Sequence, residues 1–370
     1  MKTIHLIAAT RPNFMKVAPL WHALSSENDY TVKLVHTGQH YDYSMSQLFF
    51  DELKLPEPSV NLQTGSGSHA TQTAAVMVAY EKYLLEQTPD VVVVPGDVNS
   101  TLACALTSVK MHIPVAHLEA GLRSRDKTMP EEINRVLTDA ISSICWTPSE
   151  DASENLLQEG VEPNRISFVG NCMIDSLNTM MPAIQSRRAW EQFDIEADTY
   201  CVVTLHRPGN VDDPTRLKAI INALMELSVR MPLVLPLHPR TRQQLDNMGM
   251  LPTLEQHGSI HIIPPQGYLD FTSLMHRAAL VITDSGGLQE ETTILGIPCL
   301  TIRPNTERPI TCTEGTNRLV EPDSITSAAD DALGSGVTTP RIPTFWDGKT
   351  AQRIVTDLNE RFANNRVDNG

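Results

Sequence analysis

The chain has little that would tie it to a polyanion, a membrane, a metal or an oxidising compartment. Its 29 Lys and Arg are outnumbered by 44 Asp and Glu, for a formal net charge of −15. That balance excludes the broad basic surface that nucleic acids and anionic bilayers require. It does not exclude a small anionic ligand, because a local basic pocket can sit on an acidic protein. The six cysteines (Cys104, Cys145, Cys172, Cys201, Cys299 and Cys312) are scattered with no CxxC pair, and most read as reduced core residues of a cytosolic protein. No His/Cys spacing resembles a metal site. No apolar run is long enough to span a bilayer, and the opening MKTIHLIAATRP lacks the length and cleavage site of a signal peptide. The expectation is a cytoplasmic protein with no nucleic-acid or membrane partner. A GK[ST] loop and a GxGxxG fingerprint are missing too, so neither common glycine-rich phosphate loop is present.

What the chain does have is length and alternation. At 370 residues and 41% hydrophobic it is too long for one ordinary core and suits two domains. Apolar runs alternate with amphipathic stretches from end to end, the pattern of βαβ units and parallel sheets. Strands are expected near 3–9, 31–37, 90–95, 114–118, 144–147 and 166–169, with helices near 13–25, 42–53, 70–87, 99–111, 131–142 and 150–159. A second series follows, with strands near 200–205, 233–237, 260–263, 280–283 and 298–302 and helices near 214–230, 240–247, 268–277 and 287–295. The boundary is expected inside 170–198. This gives an α/β chain with one Rossmann-like domain over 1–170, a second over 171–355, and a helix end with a frayed tail over 356–370. Two such domains would gather their strand C-termini around one interdomain cleft.

Three acids stand at the ends of apolar runs in the first half. Asp97 closes VVVVPGD, Glu119 follows PVAHL, and Glu131 opens PEEINR. A continuous apolar run reads as a buried parallel strand, and its C-terminal end is where open α/β sheets bind ligands. Any one of these acids alone reads as a surface loop residue; three in one domain can converge on proton-transfer chemistry. TRPNFMK places Arg11 and Lys16 at the end of the first strand and in the following helix, where they suit a phosphate or carboxylate. TDSGGLQEE repeats the strand–turn–helix arrangement, with Ser285, Gly286 and Gly287 letting the backbone approach an anion. Glu291, one turn later, is placed to accept from ribose hydroxyls or simply to complement the helix dipole. TLHRPGN and LPLHPRT put His206 and His238 at successive strand ends.

Taken in order, TRPNFMKVAPL, PGDVNSTL, HLEAGLRS, MPEEINR, PSE, FVGN, HRPGN, PPQGYLDF, TDSGGLQEE and TERP closely resemble the non-hydrolysing UDP-N-acetylglucosamine 2-epimerases, along nearly the whole chain. The resemblance implies a GT-B-type pair of Rossmann-like domains. It also implies interconversion of UDP-GlcNAc and UDP-ManNAc by UDP elimination to 2-acetamidoglucal and re-addition, serving cell-surface polysaccharide. No metal or other cofactor is implied, and the expected assembly is a homodimer. It further implies Asp97, Glu119, Glu131 and His206 as catalytic residues. Arg11, Lys16, Gln266, Phe271, Ser285, Gly286, Gly287, Glu291 and Arg308 match positions that bind the nucleotide sugar; for Phe271 an ordinary helix-core role stands beside uracil contact. Gln39 and His238 fall at a pocket where a second UDP-GlcNAc acts as activator. The chain departs from the family's common GTRPEAIK, HRRE and HLNP forms, having ATRPNFMK, HRPGN and HPRT. The second departure puts Pro208 where an activator-pocket arginine would stand. Sister specificities share these motifs: a hydrolysing epimerase, or a 2-epimerase of a modified UDP-sugar such as a diacetamido uronate. A GT-B glycosyltransferase and a non-catalytic nucleotide-sugar sensor are further alternatives.

Overall fold

The computed structural model describes residues 1–38, 50–334 and 341–364. They form two compact units: Met1–Asn178 together with the segment from Thr344 onward, and Thr179–Pro343. The division falls inside the helix Cys172–Arg187.

The first unit holds a seven-stranded parallel sheet in the order β3-β2-β1-β4-β5-β6-β7. Its strands are β1 (Lys2–Ala8), β2 (Tyr30–His36), β3 (Val60–Asn61), β4 (Val91–Pro95), β5 (Val115–Leu118), β6 (Ile144–Thr147) and β7 (Ile166–Phe168). The second unit repeats the order on six strands, β10-β9-β8-β11-β12-β13. These are β8 (Cys201–Thr204), β9 (Leu233–Pro236), β10 (Ile260–Ile263), β11 (Leu280–Thr283), β12 (Cys299–Thr301) and β13 (Asn317–Leu319). Continuous apolar runs such as VVVVP of β4 are buried along their whole length, as strands covered on both faces must be. In each sheet the winding reverses beside its first strand, between β1 and β4 and between β8 and β11. Ligands of open α/β sheets bind beyond the strand ends at that reversal. Each unit thus has a Rossmann-like fold.

The last described segment departs from the expected domain boundaries. Residues 344–355, expected in the second domain, pack with the first unit, and so does the whole helix Thr350–Ala363. Polar anchors explain the return. The Asp175 carboxylate accepts from the amides of Thr350 (3.2 Å) and Ala351 (2.9 Å) at the helix start. Asp357 accepts from Trp146 Nε1 and Ser167 Oγ, each at 2.7 Å. Two short strands, β3 and β13, and the helix Ile325–Gly334 add to the expected elements. The helix expected at 42–53 lies largely outside the described residues, and so does the tail beyond 364. Five of the six cysteines are buried and Cys312 is exposed; all six are free. No helix of the described residues is long and apolar enough to cross a membrane. Among the same residues, no group of three His, Cys, Asp or Glu is placed to hold a metal.

Candidate active site

In the first unit the turns after β1, β4 and β5 close on one another. Thr10 precedes the helix Arg11–Ser25, and Asn13 caps its start: Asn13 Oδ1 accepts from Thr10 N (3.0 Å) and Thr10 Oγ1 (3.1 Å). Asn13 Nδ2 donates to the carbonyl of Pro95 (3.3 Å), tying this helix to the end of β4. A glutamate carboxylate in this place would have no hydrogen to donate to that carbonyl. Lys16 is buried and ion-paired with buried Glu119. Gly96 makes the approach possible. Its φ is +65°, and a Cβ there would lie 3.0 Å from Lys16 Nζ and 3.3 Å from Glu119 Oε2.

Glu119 itself has φ +75°, a left-handed conformation that costs a residue with a Cβ about 1–2 kcal/mol. The strain is held because Glu119 N and Ala120 N both donate to the carbonyl of Trp146, at 3.1 and 3.0 Å. Asp97 pairs with Arg135 NH2 at 2.5 Å, and its carbonyl accepts from Asn134 Nδ2 at 2.9 Å. Asn134 and Arg135 belong to the helix Pro130–Ile141, which carries Glu131 in its first turn. The two acids of PEEINR have separate fates. Glu132 is buried and accepts from Ser124 N (2.9 Å), Arg125 N (2.7 Å) and Arg135 NH1 (2.6 Å), so it anchors the preceding loop. Glu131 is half-buried and has no ion pair among the described residues.

In the second unit a buried carboxylate organises the turn after β8. Asp284, directly after β11, accepts from His206 N (3.1 Å), Arg207 N (2.9 Å) and Asn210 Nδ2 (3.2 Å), and lies 2.9 Å from His206 Nδ1. Burial disfavours the charge of Asp284, but the His206 ring, the Arg207 amide and Asn210 outweigh it and hold the carboxyl below its ordinary value. His206 is thereby fixed through Nδ1, while its side chain remains 41% exposed. The His238 ring lies 6.3 Å from it, centre to centre. His238 Nδ1 accepts from Arg240 N at the start of the next helix. Partial burial, then the nearby His206 and Arg240, push its pKa down.

The helix Gly286–Leu295 begins directly after Ser285. Buried Gln289 braces this start, donating to the carbonyl of Ser285 (3.3 Å) and accepting from Thr306 Oγ1 (2.7 Å) and Asn317 Nδ2 (3.0 Å). Glu291 is buried and accepts from Tyr268 OH at 2.9 Å. Burial, with Glu290 next to it, pushes its carboxyl up to about 7, against the opposing Tyr268 hydrogen bond. Arg308 is taken up by acids: its Nε is 2.8 Å from Glu290 Oε1, and its NH1 pairs with Glu307, which also holds Arg303 at 2.7 Å.

The sequence-derived residues therefore fall into two groups. Lys16, Glu119 and Asp97 come together in the first unit, with Glu131 on the helix that grips Asp97. His206 and His238 come together in the second, where Ser285, Gly286 and Gly287 form one helix start with Glu291 in the next turn, and Arg308 packs against Gly286. Gln266 is half-buried and donates to the carbonyl of Pro264 (2.7 Å). Phe271 is partly buried against the apolar core of its own unit. The Arg11 side chain and Gln39 lie outside the described residues. Sequence reading missed Asn13, Arg135, Asp284, Gln289 and Tyr268. Asp284 carried the same signal as Asp97, an acid just past an apolar strand.

A sequence family described as UDP-N-acetylglucosamine 2-epimerase matches residues 22–359. A Methanocaldococcus jannaschii protein named UDP-N-acetylglucosamine 2-epimerase is 43% identical over 363 residues, covering 96% of this chain and 98% of that one. A Pseudomonas aeruginosa protein named UDP-2,3-diacetamido-2,3-dideoxy-D-glucuronate 2-epimerase is 41% identical over 343 residues, covering 91% and 94%. The crystal structure of the M. jannaschii enzyme in complex with UDP-GlcNAc and UDP is similar at a TM-score of 0.89, covering 97% of this chain and 99% of that one. Motif order, paired sheets and full-length identity agree: the chain belongs to the UDP-N-acetylglucosamine 2-epimerase family.

Proposed function

We propose that this chain interconverts UDP-GlcNAc and UDP-ManNAc by eliminating UDP and adding it back. A base removes the C2 proton, and the C1–O bond breaks with its electron pair leaving on the diphosphate. This leaves 2-acetamidoglucal with a C1=C2 double bond. A diphosphate oxygen then attacks C1 while C2 takes a proton on its other face. The C2 proton is weakly acidic, so a stabilised leaving diphosphate must carry the step. Inversion needs proton-transfer groups on both faces of the ring. We assign Asp97, Glu119 and Glu131 to those transfers. His206, Arg11, Lys16 and the Ser285–Gly287 helix start are assigned to the diphosphate, Glu291 to the ribose hydroxyls, and Gln266, Phe271 and Arg308 to the remaining contacts of the nucleotide sugar.

The observation that carries this reading is the gathering of Glu119 and Asp97 at one sheet's ligand-binding edge, each with its own cation, beside the helix bearing Glu131. Incubation with UDP-GlcNAc in D2O, followed by proton NMR, tests it. UDP-ManNAc with deuterium at C2 is expected. Free ManNAc plus UDP would mean hydrolysis, and no exchange at C2 without an acceptor would mean a transferase or a sensor. A second reading rests on the 41% identity to the P. aeruginosa protein, so close to 43% that the 2-acetamido and 2,3-diacetamido uronate sugars must be compared directly. The same experiment with both UDP-sugars decides between them.

The product would feed cell-surface polysaccharide from the cytoplasm. We also propose a homodimer. The helix Pro130–Ile141 buries polar residues against its own unit and turns Ile133, Val136 and Leu137 outward at 49%, 38% and 46% exposure. That is the reverse of a lone surface helix, and a second copy would cover it. Sedimentation of the wild type and of Leu137→Glu tests this; a monomeric wild type would refute it.

A further inference from the structure

We infer that His117 is a positioning residue that, through Asp139, holds the turns bearing Asp97 and Glu119 in one fixed relation; this rests on the proposed role of those acids. His117 stands in the apolar strand β5 and is completely buried. Its Nδ1 lies 2.6 Å from Asp139 Oδ1 and its Nε2 lies 2.7 Å from the carbonyl oxygen of Gly96. A carboxylate and a carbonyl offer no hydrogen, so both ring nitrogens donate. The other Asp139 oxygen accepts from Gly121 N at 3.1 Å and pairs with Arg123 NH1 at 2.7 Å. Arg123 in turn grips Glu159 through NH2 at 2.6 Å.

The placement of these contacts is what matters. The gripped carbonyl belongs to Gly96, the residue immediately before Asp97. The gripped amide of Gly121 lies two residues after Glu119. Asp139 itself sits on the helix of Glu131, roughly two turns further along. One buried carboxylate and one imidazole therefore connect all three acid-bearing segments. Replacing a buried ion cluster by apolar residues of similar volume is often neutral or stabilising, so stability alone is a weak reason for this one. Its directional bonds do what apolar packing cannot, fixing two turns whose residues Gly96 and Glu119 both have positive φ. Neither His117 nor Asp139 is exposed to a ligand, so both act through the acids.

The test compares His117→Asn and His117→Gln with the wild type, reading kcat and KM for C2 exchange, UDP affinity by calorimetry and the melting temperature. An Asn amide mimics Nδ1 and leaves the Gly96 carbonyl without its donor; a Gln amide mimics Nε2 and restores it. Misplacing reacting groups by an ångström costs about 10²-fold, so kcat of His117→Asn should fall by about that factor. KM and UDP affinity should stay within about threefold, the pattern of a loss confined to the chemical step. His117→Gln should recover at least about tenfold of the lost kcat. The inference is overturned if His117→Asn keeps wild-type kcat. It is equally overturned if kcat, UDP affinity and melting temperature fall together and His117→Gln is no better, which is what a merely structural histidine would give. Absence of C2 exchange in the wild type would remove the epimerase reading and this inference together, whereas exchange that His117→Asn leaves intact removes only the positioning role.

Discussion

Gly287→Ala separates what the fold requires of the Ser285–Gly287 turn from what a ligand requires. Gly287 is the second residue of the helix Gly286–Leu295; its φ is not left-handed, and a Cβ built on it meets nothing within 4 Å. A helical glycine is about 0.5–1 kcal/mol less favourable than alanine, so the fold alone prefers alanine there. Its neighbour is the internal contrast. A Cβ on Gly286 would lie 2.5 Å from Glu307 Oε1 and 2.7 Å from Arg308 NH1, so alanine there would have to displace the ends of two ion-paired side chains. A glycine at 287 makes sense if a diphosphate must approach the first-turn amides closely. The alanine methyl would then cost one hydrogen bond to a charged oxygen, about 1.5–3 kcal/mol, or roughly 10- to 150-fold in Kd for UDP. Urea unfolding and UDP calorimetry on Gly287→Ala should therefore move in opposite directions, stability up by about 0.5–1 kcal/mol and affinity down. Unchanged affinity in a stabilised variant would refute the assignment of the diphosphate to this helix start.

Asp97→Asn, Glu119→Gln and Glu131→Gln should each lower kcat far more than UDP affinity; near-normal turnover in all three would remove them from the chemistry. By the family resemblance Pro208 falls where an activator-pocket arginine would stand, and it opens the short helix Pro208–Val211; on that resemblance the enzyme should convert UDP-ManNAc without added UDP-GlcNAc. Complete inactivity until traces of UDP-GlcNAc are supplied would show that the pocket survives the change. His5 is buried in the core of the first unit, and burial, with Lys33 adding, lowers its pKa to about 4. Above pH 6.5 it is neutral whether folded or unfolded and contributes nothing. Below that the unfolded chain gains a proton the folded one refuses, so stability falls down to about pH 4, by about 2 kcal/mol between pH 6.5 and 5. Glu291 titrates with the opposite sign over part of this range, so the check is the difference between wild type and His5→Gln in urea unfolding at pH 7 and pH 5. Parallel losses in the two would show that His5 is not the group responsible.

The strands were legible because parallel strands covered on both faces are continuous apolar runs, and VVVVP or CVVT can hardly be anything else. β3 and β13 were not, being two and three residues long and partly polar. The return of 344–363 to the first unit was hidden for a different reason. It is fixed by Asp175 and Asp357 meeting groups some 175 to 211 positions away in the chain, and no local pattern records that. The site divides in the same way. Acids just past apolar strands announce themselves, which located Asp97 and Glu119 and would have located Asp284. Their partners do not. That Lys16 meets Glu119, or Arg135 meets Asp97, follows from the order β1-β4-β5 and the packing of a helix against it.

Those partners also answer the difficulty raised by the composition, how a chain of net charge −15 offers a site to a diphosphate. In the second unit every acid near the proposed phosphate site is compensated locally. Asp284 is taken by His206 and two backbone amides, and Glu290 and Glu307 by Arg308 and Arg303. Glu291 has no cation among the described residues, and there burial does the same work by lifting the carboxyl to about 7, so that near neutrality it is partly uncharged. The helix start at Gly286 therefore meets an anion with its own partial positive charge largely unopposed. Overall charge is a property of the distant surface, and what decides binding is compensation within a few ångströms. On this argument Arg308 contributes by holding Glu290 and Glu307 neutral as a set. Arg308→Met should weaken UDP binding even if the guanidinium never touches the ligand, and Arg308→Met combined with Glu290→Gln and Glu307→Gln should recover part of the loss. A triple variant no better than Arg308→Met would instead make Arg308 a direct ligand of the nucleotide.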